Sequence, residues 1–554
     1  MKLVRLAGGL FALAALCVWP AAAFAQADWP TYGGNDWNQR WSTLKQINTS
    51  NVNRLVPRMV FQTNVSKLGS FETTPIVVGN LMYVTTAYNE ATIAYDLATR
   101  RQVWRYEHKL GTTITCCGPN NRGVAVSNGL VFEGTIDARL IALDAKTGEL
   151  KWDVEVADPA MGYSITHAPL LAGGNVLVGV SGGEYGIRGH VTAYDVMTGK
   201  QAWRWYSVPA PKGDPTFDPK APNGWWGTWA TKAEDSDLHR DIAKEKADSA
   251  KYPDAWKMGG GGVWMTPAYD KTLNSIFLAV GNPSPDLDGS MRPGDNLYTD
   301  AIVALDATTG KTKWYYQTVP HDVWDLDAVS PPVVTMLDGR KVVVHAGKTG
   351  WLYVVDASTG KLVRKSQNFV PQENMFALPT EKGTRMLPGA NGGSEWSPIA
   401  VDPGLSYAFV AGLHQPMNYI THSAPYEKGR LWLGSAFVGI PGGEQYGLYS
   451  AIDLKTGKIA WQNKVPQPMM GGSLATAGGL AFTGEGNGNF NAYESRTGKL
   501  LWQFNAGAGC NAAPIAFEFK GEQFIAVACG GNYQLSFPLG DAVFVFGFPK
   551  TWTP

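Results

Sequence analysis

The chain has 554 residues, with 47 basic and 47 acidic side chains, and only 17% of its residues are charged. Such a balance leaves no electrostatic footprint for nucleic acid or an anionic membrane. The 64 glycines and 21 tryptophans describe a turn-rich chain with many aromatic packing elements, not a helical one.

The first residues read as an export signal: Lys2 and Arg5, an apolar run over 6–18, then Ala23-Phe24-Ala25 ahead of Gln26. That run is too short for a membrane span, which takes about 20 residues, and no later segment approaches that length. The expectation is a signal peptide over 1–25 and an exported, periplasmic protein over 26–554 with no membrane span. Loss of Lys2 and Arg5 leaves 45 basic against 47 acidic residues. Cys17 goes with the signal, and Cys116, Cys117, Cys510 and Cys529 enter an oxidising compartment, where four cysteines allow three pairings.

Seven segments then repeat: "AYDLATRRQVW", "ALDAKTGELKW", "AYDVMTGKQAW", "ALDATTGKTKW", "VVDASTGKLVR", "AIDLKTGKIAW" and "AYESRTGKLLW". Each reads as a hairpin, with an acid bonding the turn, Gly supplying positive φ in all but the first and a terminal Trp packing between neighbours in all but the fifth. The acids are Asp96, Asp144, Asp195, Asp306, Asp356, Asp453 and Glu494. Most intervals are about 40 to 50 residues, the size of one propeller blade. The gap from Asp356 to Asp453 has room for a degenerate blade near "SYAFVAG". The gap from Asp195 to Asp306 holds an insertion over about 205–258, rich in Trp and Pro, with a polar helical piece near 235–251. The fold expected is an all-β, eight-bladed β-propeller forming one closed domain.

Residues outside the repeat carry the chemistry. In chain order, "CCGPNNRG" sets Cys116 beside Cys117; a bond between them would close no loop and would be strained, which suggests a site, while two free thiols or two distant partners remain open. "SGGEYGIRGH" ends a strand in Glu184, and "GNPSPDLDG" places Asn282 similarly. "HDVWDLDAVSPP" carries Asp322, Asp325 and Asp327; if extended, it points Asp325 and Asp327 to one side. Paired carboxylates repel unless a cation or a proton sits between them, and oxygen donors suit a hard cation. A solvated acidic loop is the bland alternative. No zinc spacing, C-x-x-C-H haem site, dinucleotide fingerprint or P-loop occurs in the sequence.

These pieces, in this order and together with "HAGKTGWLYVVD", resemble the pyrroloquinoline quinone (PQQ)-dependent alcohol dehydrogenases, exported eight-bladed quinoproteins. The resemblance implies that Cys116 and Cys117 form a vicinal disulfide against one face of the quinone, with Trp264 stacked on the other. It assigns Glu72, Arg122, Thr166, Ser181, Gly182 and Gly183 to the cofactor's carboxylates and carbonyls, and Lys348 to the reactive oxygens. Glu184, Asn282 and Asp325 match the metal ligands, and Asp325 also the general base. Asp327 resembles the extra acid of lanthanide-using members, which favours a lanthanide over calcium; a turn residue is the alternative.

The implied reaction is alcohol oxidation by hydride transfer, with electrons passed to a separate acceptor such as a soluble cytochrome c, since the sequence holds no C-x-x-C-H and so no covalently attached c-type haem is expected in this chain. A homodimer is one candidate assembly. Departures are Met469 and Met470 where relatives often have Trp, Glu395 in "GGSEW", and the insertion near Trp225, Trp226 and Trp229, which could roof the site. They leave a sugar, polyol or bulky secondary alcohol as the alternative substrate, and a non-catalytic envelope scaffold as the alternative class.

Overall fold

The computed structural model describes residues 28–550, so the expected signal peptide lies outside the described residues. All seven repeats fold as hairpins, and each supplies the third and fourth strands of an antiparallel sheet. In the first, Thr92–Asp96 pairs with Arg101–Tyr106. The turn forms because Asp96 Oδ1 accepts the backbone N–H groups of Ala98 and Thr99 at 2.7 and 2.8 Å. Asp306 repeats this with Thr308 and Thr309 at 3.1 and 2.9 Å, and the Gly310 N–H returns to the Asp306 carbonyl at 2.8 Å.

The tryptophans join one repeat to the next. Trp104 donates its indole N–H to Ala145 O (3.1 Å), Trp152 to Val196 O (3.2 Å), Trp203 to Ala307 O (3.3 Å), Trp314 to Ala357 O (3.1 Å) and Trp461 to Ser495 O (2.9 Å). Each ring also covers the turn glycine of the following repeat. A Cβ on Gly310 would lie 2.4 Å from the Trp203 ring, and one on Gly360 2.4 Å from Trp314. Where the repeat ends in Arg364 instead, the Arg stem lies against Gly457.

Among the described residues, eight sheets of at least four strands succeed one another. Their first strands neighbour each other from Ile76–Val78 through Ala125–Ser127, Leu170–Ala172 and Ala268–Asp270 to Val333–Leu337, and again from Ala400–Asp402 through Ser473–Thr476 to Ile515–Phe519. The architecture is an all-β propeller.

The degenerate unit is not where the sequence placed it. "SYAFVAG" lies in Tyr407–His414, the second strand of the sheet that contains Asp453. The sheet without a repeat is instead Ile515–Phe519, Glu522–Cys529 and Ala542–Gly547, completed by Val56–Gln62 from the other end of the chain. The long gap before Asp453 holds a small extra sheet of Thr384–Met386, Met417–Ile420 and Ala436–Gly439. Cys510 and Cys529 are bonded to each other beside the closing sheet.

The N-terminal segment completes the ring at a second level. Trp29 bonds Val77, and the carbonyls of Asp36, Trp37, Gln39 and Arg40 accept from Tyr269, Val334, Val401 and Ala475, so one stretch touches five sheets. Arg40, fully buried, donates to Ser473 O at 3.0 Å and Pro514 O at 2.7 Å.

The insertion contains the helix Ile242–Asp248, inside the polar piece foreseen. It docks on Asp295, whose carboxylate accepts from Thr228 N at 2.6 Å, Ala230 N at 2.8 Å and Arg240 Nη1 at 2.7 Å.

Gly360 tests the docking contact. Its φ of +71° is costly for Ala, and the added methyl would collide with Trp314, so Gly360→Ala is expected to destabilise by about 2 to 5 kcal/mol. Gly339, at φ +78° with nothing within 4 Å, supplies the control: Gly339→Ala should cost only the backbone term, about 1 to 2 kcal/mol. Urea unfolding midpoints measure both.

Candidate active site

One cavity collects side chains from across the ring. The empty space within it, open mouth included, is about 730 Å³. Its lining includes Glu72, Cys116, Cys117, Arg122, Thr166, Ser181, Gly182, Glu184, Trp264, Asp325, Asp327 and Lys348. Of the residues expected from the sequence, Gly183 and Asn282 stand just behind this lining. Gly183 begins the 3-10 turn Gly183–Tyr185, and Asn282 follows the strand Ser275–Val280.

The loops are shaped for this convergence. Gly182 has φ +109°, and a Cβ there would lie 2.0 Å from Gly162 O, so only glycine lets the Ser181 and Glu184 side chains approach. Asp325 and Asp327 do share the cavity, but not by strand alternation: the segment is a loop, and Asp325 has φ +61°. Asp322 builds that loop, its carboxylate accepting Trp324 N at 2.9 Å and Leu326 N at 2.8 Å. Arg292 clamps it from beneath, donating to the Asp322 carbonyl.

At one end of the cavity Arg122 Nη2 meets Glu72 Oε2 at 2.8 Å, and Asn532 donates to Glu72 Oε1 at 2.8 Å. The guanidinium lies 5.3 Å from the Trp264 ring centroid and 4.6 Å from that of Trp396. Its Nε and Nη1 are buried without a hydrogen-bond partner. Thr166 and Ser181 hydroxyls pair at 3.0 Å. Met470 is fully buried beneath, in an apolar floor with Tyr32, Trp264 and Trp396.

At the other end Lys348 Nζ stands 2.9 Å from Asp325 Oδ1, 3.7 Å from Asp327 Oδ2 and 3.9 Å from Glu395 Oε1. Burial works against its charge, but these carboxylates hold its pKa well above the lysine range. Burial also raises Asp325, and Asp286 and Asp327 add to that against the pull of Lys348. Glu184 is raised by burial, with Asp327 adding repulsion. Acids thus outnumber cations in a water-poor place, the electrostatic signature of a functional site. No three His, Cys, Asp or Glu side chains among the described residues close on a common point.

Two expectations change. The Cys116 and Cys117 sulfurs lie 3.0 Å apart as free thiols, close but unbonded, with Cys117 at φ +58°. The insertion does not roof the cavity: none of the lining residues comes from 205–258, and Trp225 packs instead with Val208, Ala210 and Trp256. Trp396, Asn120, Ser164, Asn532 and Gln534 line the cavity without having been singled out. Trp396 was findable, since it belongs to no repeat; Asn532 sits in the segment with no repeat signature.

With this geometry in hand, the comparisons agree. A family profile for PQQ-dependent glucose/ethanol/alcohol dehydrogenase β-propeller domains matches residues 29–241, 237–375 and 443–525. Quinohemoprotein alcohol dehydrogenase ADH IIB of Pseudomonas putida is 35% identical, covering 91% of this chain and 74% of its own. Lanthanide-dependent methanol dehydrogenase of Methylorubrum extorquens is 33% identical, covering 89% and 85%. Among solved structures, quinohemoprotein alcohol dehydrogenase from Comamonas testosteroni matches with TM-score 0.83 at 31% identity, covering 96% of this chain and 82% of that one. A europium-containing methanol dehydrogenase matches with TM-score 0.82 at 31% identity, covering 94% and 98%. The site is that of an oxidoreductase on a propeller. The chain belongs to the PQQ-dependent, or quinoprotein, alcohol dehydrogenase family.

Glu395 gives a pH test. Burial lifts its carboxyl to about 7, partly opposed by Lys348. Its proton is therefore held more tightly in the folded state. The associated stability is complete below the unfolded value of about 4.5 and is lost as pH rises through about 7, a loss of up to about 3 kcal/mol. Urea midpoints of the metal-free protein at pH 5 and pH 8 should show this fall, and Glu395→Gln should make it shallower.

Proposed function

We propose that this chain is an exported, periplasmic alcohol dehydrogenase, one eight-bladed propeller that uses PQQ and one metal ion and passes electrons to a separate acceptor such as a soluble cytochrome c. The observation that carries the reading is the polarity of the cavity: spare cationic donors at one end, and a proton-accepting carboxylate among excess acids at the other. The donor set fits the cofactors. The unpartnered Nε and Nη1 of buried Arg122 offer N–H groups to an anionic, planar ligand. Glu184, Asn282, Asp325 and Asp327 supply only oxygen donors, which suit a hard cation.

When bound, the quinone accepts hydride and the metal polarises its carbonyl. The remaining work belongs to the chain's own residues. Arg122, Thr166 and Ser181 orient the cofactor, while Cys116, Cys117 and Trp264 flank its faces. Asp325 takes the hydroxyl proton as the alcohol is oxidised, which requires it ionised and within hydrogen-bond reach. Lys348, 2.9 Å away, favours that ionised form.

A lanthanide is favoured over calcium. Asp327 is buried and lines the cavity, so it acts as an extra anion and not as a surface turn residue. More negative charge rewards a trivalent ion. The likeness to lanthanide- and europium-containing methanol dehydrogenases supports the same choice.

The test is dye reduction by purified protein loaded with PQQ plus calcium or a lanthanide, across a panel of alcohols. Alcohol-dependent turnover is expected, higher with the lanthanide; no turnover and no cofactor uptake with either metal would overturn the reading. Asp325→Asn should lower kcat by about 100-fold or more. Asp327→Ala should damage lanthanide-supported turnover selectively, and equal losses with both metals would remove it as the selectivity residue.

A further inference from the structure

Asn282 is the one residue of the proposed oxygen cage whose donor depends on which way a planar amide is turned. That turn is fixed from behind. The Asn282 Nδ2 group donates to the Pro283 carbonyl at 3.2 Å and to Oδ1 of Asp286. A carbonyl can only accept, so the NH2 must face this side. The backbone N–H of the same residue donates to Asp327 Oδ1 at 2.6 Å. Asn282 Oδ1 is thereby turned the other way, 3.7 Å from where a Cβ would sit on Gly183, the first residue of the turn Gly183–Tyr185.

Asp286 itself has no structural ion pair to explain it. It is buried, at 1% exposure, and among the described residues no basic side chain forms an ion pair with it. The nearby Arg292 donates to Pro285 O at 2.7 Å, Asp286 O at 3.0 Å, Asn296 Oδ1 at 2.7 Å and Asp322 O, all of them carbonyl oxygens. These bonds fix the backbone at 285–286 and leave the Asp286 carboxylate to Asn282.

We propose that Asp286 is a positioning residue for the metal ion: by holding the Asn282 amide nitrogen, it presents Asn282 Oδ1 to the cation. The inference rests on the reading of Asn282 as a metal ligand. Hydrogen-bond partners of this kind, standing behind a ligand, tune affinity by about 10- to 100-fold.

The experiment measures binding as well as turnover. Full-length protein is titrated with terbium(III), read by its sensitised luminescence, and with calcium in competition. Asp286→Ala should weaken terbium binding about 10- to 100-fold. Asp286→Asn keeps an acceptor oxygen without the charge, and should restore affinity to within about threefold. In an Asn282→Ala background, Asp286→Ala should cost nothing more, because the two act through one contact. Should the Ala variant not fold, Asp286→Leu fills the volume without an acceptor and is held to the same expectation. Equal weakening in Asp286→Asn and Asp286→Ala, or additive losses in the double variant, would overturn the positioning role. Unchanged affinity in Asn282→Ala would instead overturn the ligand assignment, and the inference with it.

Discussion

The contact that five of the seven repeats make between their terminal tryptophan and the next repeat's turn glycine is what the rest of the molecule depends on. It is both polar and steric: an indole N–H reaches a carbonyl near the next turn, while the ring occupies the space a side chain would need. Each hydrogen bond contributes about 0.5 to 1.5 kcal/mol net, but the contacts act in series around the ring. Trp502 extends the series by donating to Leu55 O at 3.2 Å, just before the closing strand Val56–Gln62. Because the angle between neighbouring sheets is set at their outer turns, the loops at the centre can vary without losing register. The centre is where the chemistry is placed.

That freedom is spent on burying charge. Glu184, Asp286, Asp300, Asp322, Asp325 and Asp327 influence one another near Lys348 and Arg292, and burial raises the carboxyls of Glu184, Asp286, Asp300, Asp322 and Asp325 above their usual range. Arg292 turns its N–H groups to carbonyl oxygens, so Lys348 is the cation left to face the carboxylates. Such an arrangement is costly for a scaffold and useful for a site that expects a multivalent ion. The opposite wall is differently built, with the Glu72–Arg122 pair resting on Trp264 and Trp396. One end is organised by excess negative charge and the other by a partly used guanidinium, so a ligand entering the cavity has one favourable direction.

The sequence disclosed what is local. Each Asp-Thr-Gly turn is written within five residues, and all seven hairpins were legible. The sheet containing Cys529 was not, because its fourth strand, Val56–Gln62, comes from the far end of the chain and no turn joins it to its partner. Site residues behaved similarly. Glu184 and Asp325 stood out as acids that the repeat did not need, yet spacing alone could not bring together residues 141 positions apart. Resemblance gathered them, and both do line the cavity. Asp325 and Asp327 reach it through a left-handed backbone conformation that alternation does not anticipate. Asp286 passed unnoticed because its role is visible only in the orientation of the Asn282 amide. The tryptophan-rich insertion misled because composition gives no direction: Trp225 and Trp226 pack with Trp256, and Trp229 lies beside Lys246.

The N-terminal segment has a consequence for the order of assembly. Residues 29–42 bond five separate sheets, and Val56–Gln62 finishes the one built from the last residues of the chain. The earliest described residues therefore wait for the latest, and the ring cannot close on a partial chain. Sequence separations of more than 400 residues at the seam predict slow closure, with unpaired strand edges exposed until it occurs.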